Sequence, residues 1–119
     1  MSAVEKVDLA SVHLKRCDFP GNRMDCSIQE IFVADDRELV TGIFEGRTGD
    51  FTWKYPAHEM VYVLEGEYRL EDIKTGEVVQ AKQGEVIHIT KGAELRVSLI
   101  QAPFRCLYCA HNNIPTTAE

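Results

Sequence analysis

Short apolar segments separated by regularly spaced turn residues run through most of this chain. Glycine and proline punctuate them about every 8 to 12 residues, a spacing typical of all-β sandwiches and barrels. No longer stretch keeps the i, i+3, i+4, i+7 apolar pattern of an amphipathic helix, although residues 4–12 suit either a turn of helix or an edge strand. The expected strands are residues 28–34, 38–45, 60–64, 67–72, 77–82, 85–90, 94–101 and 104–110.

Size and composition predict one soluble domain. The chain has 119 residues, 45 % hydrophobic and 27 % charged, which is close to the averages for globular proteins. No apolar run approaches the roughly 18 residues of a membrane span, so we expect no membrane association. The amino terminus carries Glu5, Lys6 and Asp8 where a signal peptide would be apolar, so a cytoplasmic location is expected. The net charge is −6 and the basic residues are scattered, which argues against nucleic acid as a partner.

Four cysteines could form two disulfides or one zinc site, but a chain without a secretion signal favours reduced thiols. Cys106 and Cys109 have the C-x-x-C spacing within an apolar run that is typical of a strand. Residues three apart on a strand face opposite sides, so these two thiols cannot share a metal there. We expect them to be structural.

Two segments carry a family resemblance through the spacing of their glycine and glutamate residues. Glu59 and Gly66 enclose Met-Val-Tyr-Val-Leu-Glu, and Gly84 and Gly92 enclose Glu-Val-Ile-His-Ile-Thr-Lys. They resemble the E-x6-G half of the first cupin motif, G-x5-H-x-H-x3,4-E-x6-G, and the two glycines of the second, G-x5-P-x-G-x2-H-x3-N. Trp53 and the Glu-Gly pair make the chain most similar to small cupins related to ureidoglycine aminohydrolases and the ethanolamine-utilisation cupin.

The resemblance implies an all-β fold, a single-domain cupin jelly-roll barrel, also called a double-stranded β-helix. The cupin domain would span residues 1–119, with a motif-bearing core at about 38–110 and an N-terminal extension at about 1–27. Cupin barrels commonly dimerise, so a homodimer is expected.

The metal-binding positions of the two cupin motifs are largely changed. Counting back from Glu59, the two histidine positions hold Trp53 and Tyr55 with the three-residue spacing, or Thr52 and Lys54 with the four-residue spacing. The last histidine position holds Leu95. Of four ligands that the resemblance implies, Glu59 alone is present, and one carboxylate binds a transition metal weakly. We therefore expect no metal and no other cofactor.

The remaining residues suggest a small-molecule pocket. In the three-residue register Trp53 and Tyr55 point into the barrel, offering flat apolar surface with an N–H and an O–H, while Glu59 serves as an acceptor or as a catalytic acid or base. Arg96, next to the changed histidine position, is a candidate partner for a ligand carboxylate. Core packing of the aromatic pair, and solvation or pairing of Glu59 and Arg96, are the structural alternatives.

Three functions are compatible with these residues. The preferred hypothesis is a small-molecule-binding cupin, a sensor, accessory protein or metal-free enzyme. The first alternative is a metal-dependent aminohydrolase, isomerase or dioxygenase with ligands recruited from His58, Glu59, His88 or a cysteine. The second alternative is a structural dimeric module.

Overall fold

The computed structural model describes residues 3–111, and their regular structure is almost entirely antiparallel β. A 3-10 turn at Leu9–Ser11 comes first, capped by Asp8, whose carboxylate accepts a hydrogen bond from the Ala10 amide. Of the two structures predicted for residues 4–12, the helical turn is therefore the one present. The strands are β1 (Lys15–Arg16), β2 (Asp25–Val33), β3 (Leu39–Thr48), β4 (Asp50–Lys54), β5 (His58–Asp72), β6 (Val78–Lys82), β7 (Val86–Ile89) and β8 (Glu94–His111).

Two long neighbouring strands, β5 and β8, organise the fold. The first half of β5 pairs with β7 and its second half with β6, while the first half of β8 pairs with β4 and its second half with β3. Both long strands consequently run through two layers, ordered β1-β2-β3-β8-β5-β7 and β4-β8-β5-β6. This double-layered antiparallel arrangement is a jelly roll.

The bend between the layers lies where the sequence predicts turns between separate strands. Residues 60–64 and 67–72 form one strand, as do 94–101 and 104–110, so the prediction of four strands was wrong. The register shifts between Val63 and Tyr68 instead of breaking, as at a β-bulge. Gly66 has φ +80°, and a Cβ on it would come within 2.9 Å of the Phe104 Cα. Glycine bends a continuous strand here because a side chain would meet β8.

The core fills the space between the two layers. Phe104, just after the bend in β8, is fully buried, and its ring stacks on Tyr68 at 4.1 Å between centroids. Val61 and Val63 contribute from β5, and Val97 contributes from the other half of β8. Alternate residues of each strand therefore face one common interior.

The described residues include neither a membrane-spanning helix nor a disulfide. Among residues 3–111, no helix has the length and apolar character needed to span a bilayer. All four cysteines are free thiols. Cys106 is buried in the core, whereas Cys109 faces the other side of β8 opposite Met60, which confirms that the C-x-x-C pair is divided by the strand.

Candidate functional site

Strand β5 places Glu59 on the inner face of the jelly roll. Val61 and Val63 follow at alternate positions and are buried in the core, so the side chain of Glu59 points in the same direction. Its cross-strand neighbours are Ala110 on β8 and Ile89 on β7. The carboxylate therefore enters the end of the core formed by β5, β7 and β8.

The interior perturbs Glu59 without supplying it with a partner. Burial raises the pKa of its carboxyl from 4.5 to about 7. Within residues 3–111, no side-chain cation forms an ion pair with this carboxylate, and no hydrogen bond to it is formed. At neutral pH both the acid and the carboxylate are consequently populated.

The charge of Glu59 acts on four ionisable side chains of the core: Tyr55, Tyr68, Cys106 and Tyr108. Burial is the largest cause that raises the pKa of each, and the negative charge of Glu59 raises each further. All four therefore remain protonated near neutral pH. The hydroxyl of Tyr68 is buried and has no hydrogen-bond partner in the described part of the chain.

Sequence reasoning did not select Tyr68, Cys106 or Tyr108. Counting alternate residues from Glu59 along β5 places Tyr68 on the outer face, but the bulge at Gly66 reverses the alternation and turns it inward. For Cys106 and Tyr108 a usable signal existed, because both follow the apolar residue Phe104 at alternate positions of one expected strand, which places all three on one face.

A chain of aromatic rings connects the core with an open edge. Phe104 packs against Phe44, Phe44 against Phe51, and Phe51 against Phe19 from the segment before β2, with centroids 5.7 to 6.4 Å apart. Phe19 also contacts Trp53 at 5.3 Å. Trp53 is 40 % exposed, so this end of the chain of rings is accessible to solvent.

The pairing of β4 with β8 distinguishes between the two motif registers. Trp53 lies opposite Leu95, which is buried, and Tyr55 follows at the next inner position, with its amide bonded to the Ala93 carbonyl. Thr52 and Lys54 are exposed on the other face. The three-residue register therefore describes the inner face, whereas ligand binding by Trp53 and Tyr55 stays a prediction.

Arg96 is separated from the other predicted site residues. It lies between the buried residues Leu95 and Val97, pairs with Thr52 and Glu71, and is exposed on the outer face. The structure thus brings Tyr55 and Glu59 together inside, with Trp53 on the same face, and directs Arg96 away from them.

The donor set on the inner face does not fit the metal that the cupin motifs imply. The positions of the expected histidines hold Trp53, Tyr55 and Leu95, which leaves Glu59. Across residues 3–111, no group of three or more His, Cys, Asp or Glu side chains is arranged to hold a metal ion.

Three histidines cluster on the outer face of the same layer. The rings of His58, His88 and His111 have centroids 5.4 to 5.8 Å apart. The Nδ1 atom of His58 accepts a hydrogen bond from the Lys91 amide at 3.1 Å. Since His58 and Glu59 are adjacent on a strand, they point to opposite faces, and the alternative ligand set of His58, Glu59 and His88 is divided between them.

Two surface clefts lie apart from this inner face. One of about 690 Å³ is bounded by the loop before β2, including Cys17, Phe19 and Arg23. The other, of about 300 Å³, lies at the bend, between Glu65, Lys82 and Pro103. Neither of the two is lined by Trp53, Tyr55 or Glu59.

A jelly roll with two long bent strands, an inward glutamate seven residues before the bend glycine, and the paired glycines around β7 define a cupin barrel. More specifically, the chain belongs to the EutQ-like cupin domain family, whose sequence profile matches residues 33–108. This confirms the family resemblance and the fold predicted from the two motifs.

Solved structures agree with this assignment. The chain is similar to EutQ of Clostridium difficile, with 23 % identity, a TM-score of 0.78 and coverage of 92 % of this chain and 88 % of that one. For an ethanolamine utilization protein Q of Salmonella typhimurium the values are 27 %, 0.79, 91 % and 85 %. The polyketide cyclase RemF of Streptomyces resistomycificus shares the fold at 19 % identity, with a TM-score of 0.73 and coverage of 96 % and 88 %. A search of curated proteins found no significant match.

Proposed function

We propose that this cupin binds a small molecule on its inner face, at a site centred on Glu59 with Tyr55 beside it and Trp53 at the open edge. The observation that carries the proposal is the carboxylate of Glu59, turned into the interior without a cation or a hydrogen bond from residues 3–111. Four protonated side chains share the core with it.

The unpaired carboxyl argues against simple core filling. Burying a polar group without a hydrogen bond costs about 1 to 3 kcal/mol in proteins. An apolar residue at position 59 would avoid this cost and would pack against Ile89 and Ala110. A destabilising, perturbed carboxyl inside an otherwise consistent fold is the pattern typical of a functional site.

The protonation state of Glu59 allows the site to act as an acid or as a base. A carboxyl with a pKa of about 7 can donate or accept a proton at neutral pH. The same geometry therefore supports binding alone or acid–base catalysis on a bound ligand. The names of the solved relatives range from ethanolamine utilization to a polyketide cyclase, so the shared fold does not select a reaction.

A thermal-shift screen of a metabolite panel tests the proposal. A ligand that binds only the folded state raises the melting temperature in proportion to the logarithm of its concentration over its dissociation constant. We expect at least one compound to stabilise the wild type and not Glu59→Ala. The control is Glu65→Ala, an exposed glutamate on the same strand, which should keep the shift. A shift that survives in Glu59→Ala, or no shift with any compound, contradicts the proposal.

We also propose that the protein forms a homodimer, as the sequence predicts. Met60, Tyr62 and Val86 form an exposed apolar patch on the outer face of β5 and β7. Such patches are typical of interaction surfaces. Light scattering should give twice the chain mass for the wild type and the chain mass for Val86→Glu, and a wild-type monomer would contradict the prediction. The cytoplasmic location stays a prediction.

A further inference from the structure

We propose that the ligand of the Glu59 site is a small organic cation, namely a protonated alkylamine whose ammonium group contacts the Glu59 carboxylate while its alkyl part lies against the aromatic rings. This inference rests on the proposed function and names the chemical class that the inner face selects. Three features carry it: the sign of the interior charge, the aromatic lining and the hydrogen-bonding groups left unused.

The charge that Glu59 brings into the barrel is negative, and no side-chain cation of residues 3–111 pairs with it. The arginines that pair with acids within residues 3–111 do so away from Glu59; Arg47 bonds Asp25 and Glu45, and Arg69 bonds Glu71. No basic side chain contributes to the perturbation of Glu59, Tyr55 or Tyr68. Because a partly buried carboxylate attracts a cation more strongly than one in water does, the site favours a positive ligand.

Aromatic rings provide the second half of a cation site. Tyr55 and Tyr108 are core residues on the same inner face as Glu59, and the charge of Glu59 raises the pKa of both; Trp53 lies at the solvent end of that face. The faces of Trp and Tyr rings attract cations, by about 2 kcal/mol or more when the contact is desolvated. Alkyl carbons of an amine also bury well against such rings, which a hydrated inorganic cation cannot do.

The unused polar atoms suit a donor-rich ligand. The carboxylate of Glu59 can only accept when it is ionised, and the buried Tyr68 hydroxyl, on a side chain 4 % exposed, has no partner among the described residues. An alkylammonium group carries up to three N–H donors, enough to reach more than one acceptor. A ligand of this kind would satisfy inner-face groups that residues 3–111 leave unpaired.

An anionic ligand is disfavoured by the same geometry. The sequence suggests Arg96 as a partner for a ligand carboxylate, but Arg96 is exposed on the opposite face of β8. A second carboxylate beside Glu59 would meet an unpaired negative charge in a buried site. The structure therefore favours an ammonium-bearing ligand over the carboxylate-bearing ligand that Arg96 suggests in the sequence.

Three molecules of similar size and different charge test the inference: propylammonium, 1-propanol and propionate. Binding is followed by the fluorescence of Trp53, the one tryptophan in the sequence, and by thermal shift at pH 8. We expect propylammonium to bind at least tenfold more tightly than either of the others. Glu59→Gln should lose this preference, and the control Glu65→Gln should keep it.

The outcomes separate this inference from the proposed function. Tighter binding of propanol or propionate that still depends on Glu59 overturns the cation assignment and leaves the inner-face site intact. If none of the three binds, and no compound of the metabolite panel binds through Glu59, both proposals fail. Binding of propylammonium that is equal in Glu59→Gln shows attraction to another acidic surface and overturns the cation assignment as well.

The pH dependence of binding gives an independent check. The groups that face Glu59 from the surrounding strands are Tyr55, Tyr68, Cys106 and Tyr108, and burial keeps all four protonated between pH 6 and 8. Glu59 itself ionises over this range, so affinity for propylammonium should rise roughly tenfold from pH 6 to pH 8. Affinity that is flat, or that falls, over this range would contradict contact between the ammonium and the carboxylate.

Discussion

The two faces of β5 place neighbouring residues in different physical environments. Glu59 points inward, where burial raises its pKa and no cation or hydrogen bond from the described residues compensates it. His58 points outward, where it stacks with two other histidines and accepts a hydrogen bond from the Lys91 amide. Ionisable residues are present on both faces, and among residues 3–111 each face has a buried polar atom without a partner, Tyr68 Oη inside and His111 Nδ1 outside. The inner face adds the carboxylate of Glu59, which has neither an ion pair nor a hydrogen bond within those residues. The environment of these side chains, more than their identity, distinguishes the candidate site.

The largest difference between the faces should appear in packing. Phe104→Ala removes a fully buried ring that stacks on Tyr68, and we expect it to lower the free energy of unfolding by about 3 to 5 kcal/mol. Met60→Ala, on the outer face and 43 % exposed, should cost less than about 1 kcal/mol. Urea unfolding followed by circular dichroism measures both.

A milder substitution at Phe104 serves as a control for folding. If Phe104→Ala does not fold, Phe104→Leu keeps much of the volume and should show a smaller loss in the same direction. Comparable losses for Met60→Ala and the Phe104 variant would mean that the outer face is covered in solution, which would sharpen the homodimer proposal and break the distinction between the two faces.

An intermediate effect should come from the charge of Glu59. Because its pKa is raised in the folded chain, to about 7 from 4.5, the folded protein is not penalised below pH 4.5 and loses stability as the pH rises through 7. The loss should be about 2 to 3 kcal/mol relative to Glu59→Gln, which stays uncharged. Measuring the urea midpoints of both proteins from pH 5 to pH 8 tests this.

The comparison with Glu59→Gln isolates one carboxyl, since other titrating groups affect both proteins alike. The difference in stability should grow with pH, and the variant should be the more stable protein at pH 8. Glu65→Gln, on the exposed part of the same strand, should follow the wild-type pH profile. A constant difference between wild type and Glu59→Gln would show that Glu59 is solvated in the folded state.

The fold was largely predictable from the sequence because strand alternation and turn residues are local signals. The register of Trp53 and Tyr55 also follows from alternation, since placing Lys54 inward would bury a charge. What local signals could not give is the continuity of β5 and β8 through their bends. In the sequence, Gly66 is compatible with either a turn or a β-bulge. Which of the two forms depends on how closely Phe104 of β8 approaches it. The inward position of Tyr68 depends on that choice.

The position of Arg96 exposes a second limit of sequence reasoning. Adjacency to a motif position suggests proximity to the site, but alternation on β8 sends neighbouring residues to opposite faces. The histidine cluster was equally hidden, because His58, His88 and His111 come from three strands and meet only through the pairing of β5 with both β7 and β8. Contacts between distant segments require the topology, which the spacing of turns does not determine.

The smallest effects should come from the histidine cluster. His58→Ala removes the acceptor of the Lys91 amide and should cost about 0.5 to 1 kcal/mol, whereas His88→Ala, on an exposed side chain that has no hydrogen bond to another residue of 3–111, should cost less than about 0.5 kcal/mol. Urea unfolding at pH 8 measures both. Neither change should alter propylammonium binding, because the two side chains lie on the face opposite Glu59. A loss of binding in His88→Ala would show that the two faces are coupled and that the site extends through the sheet.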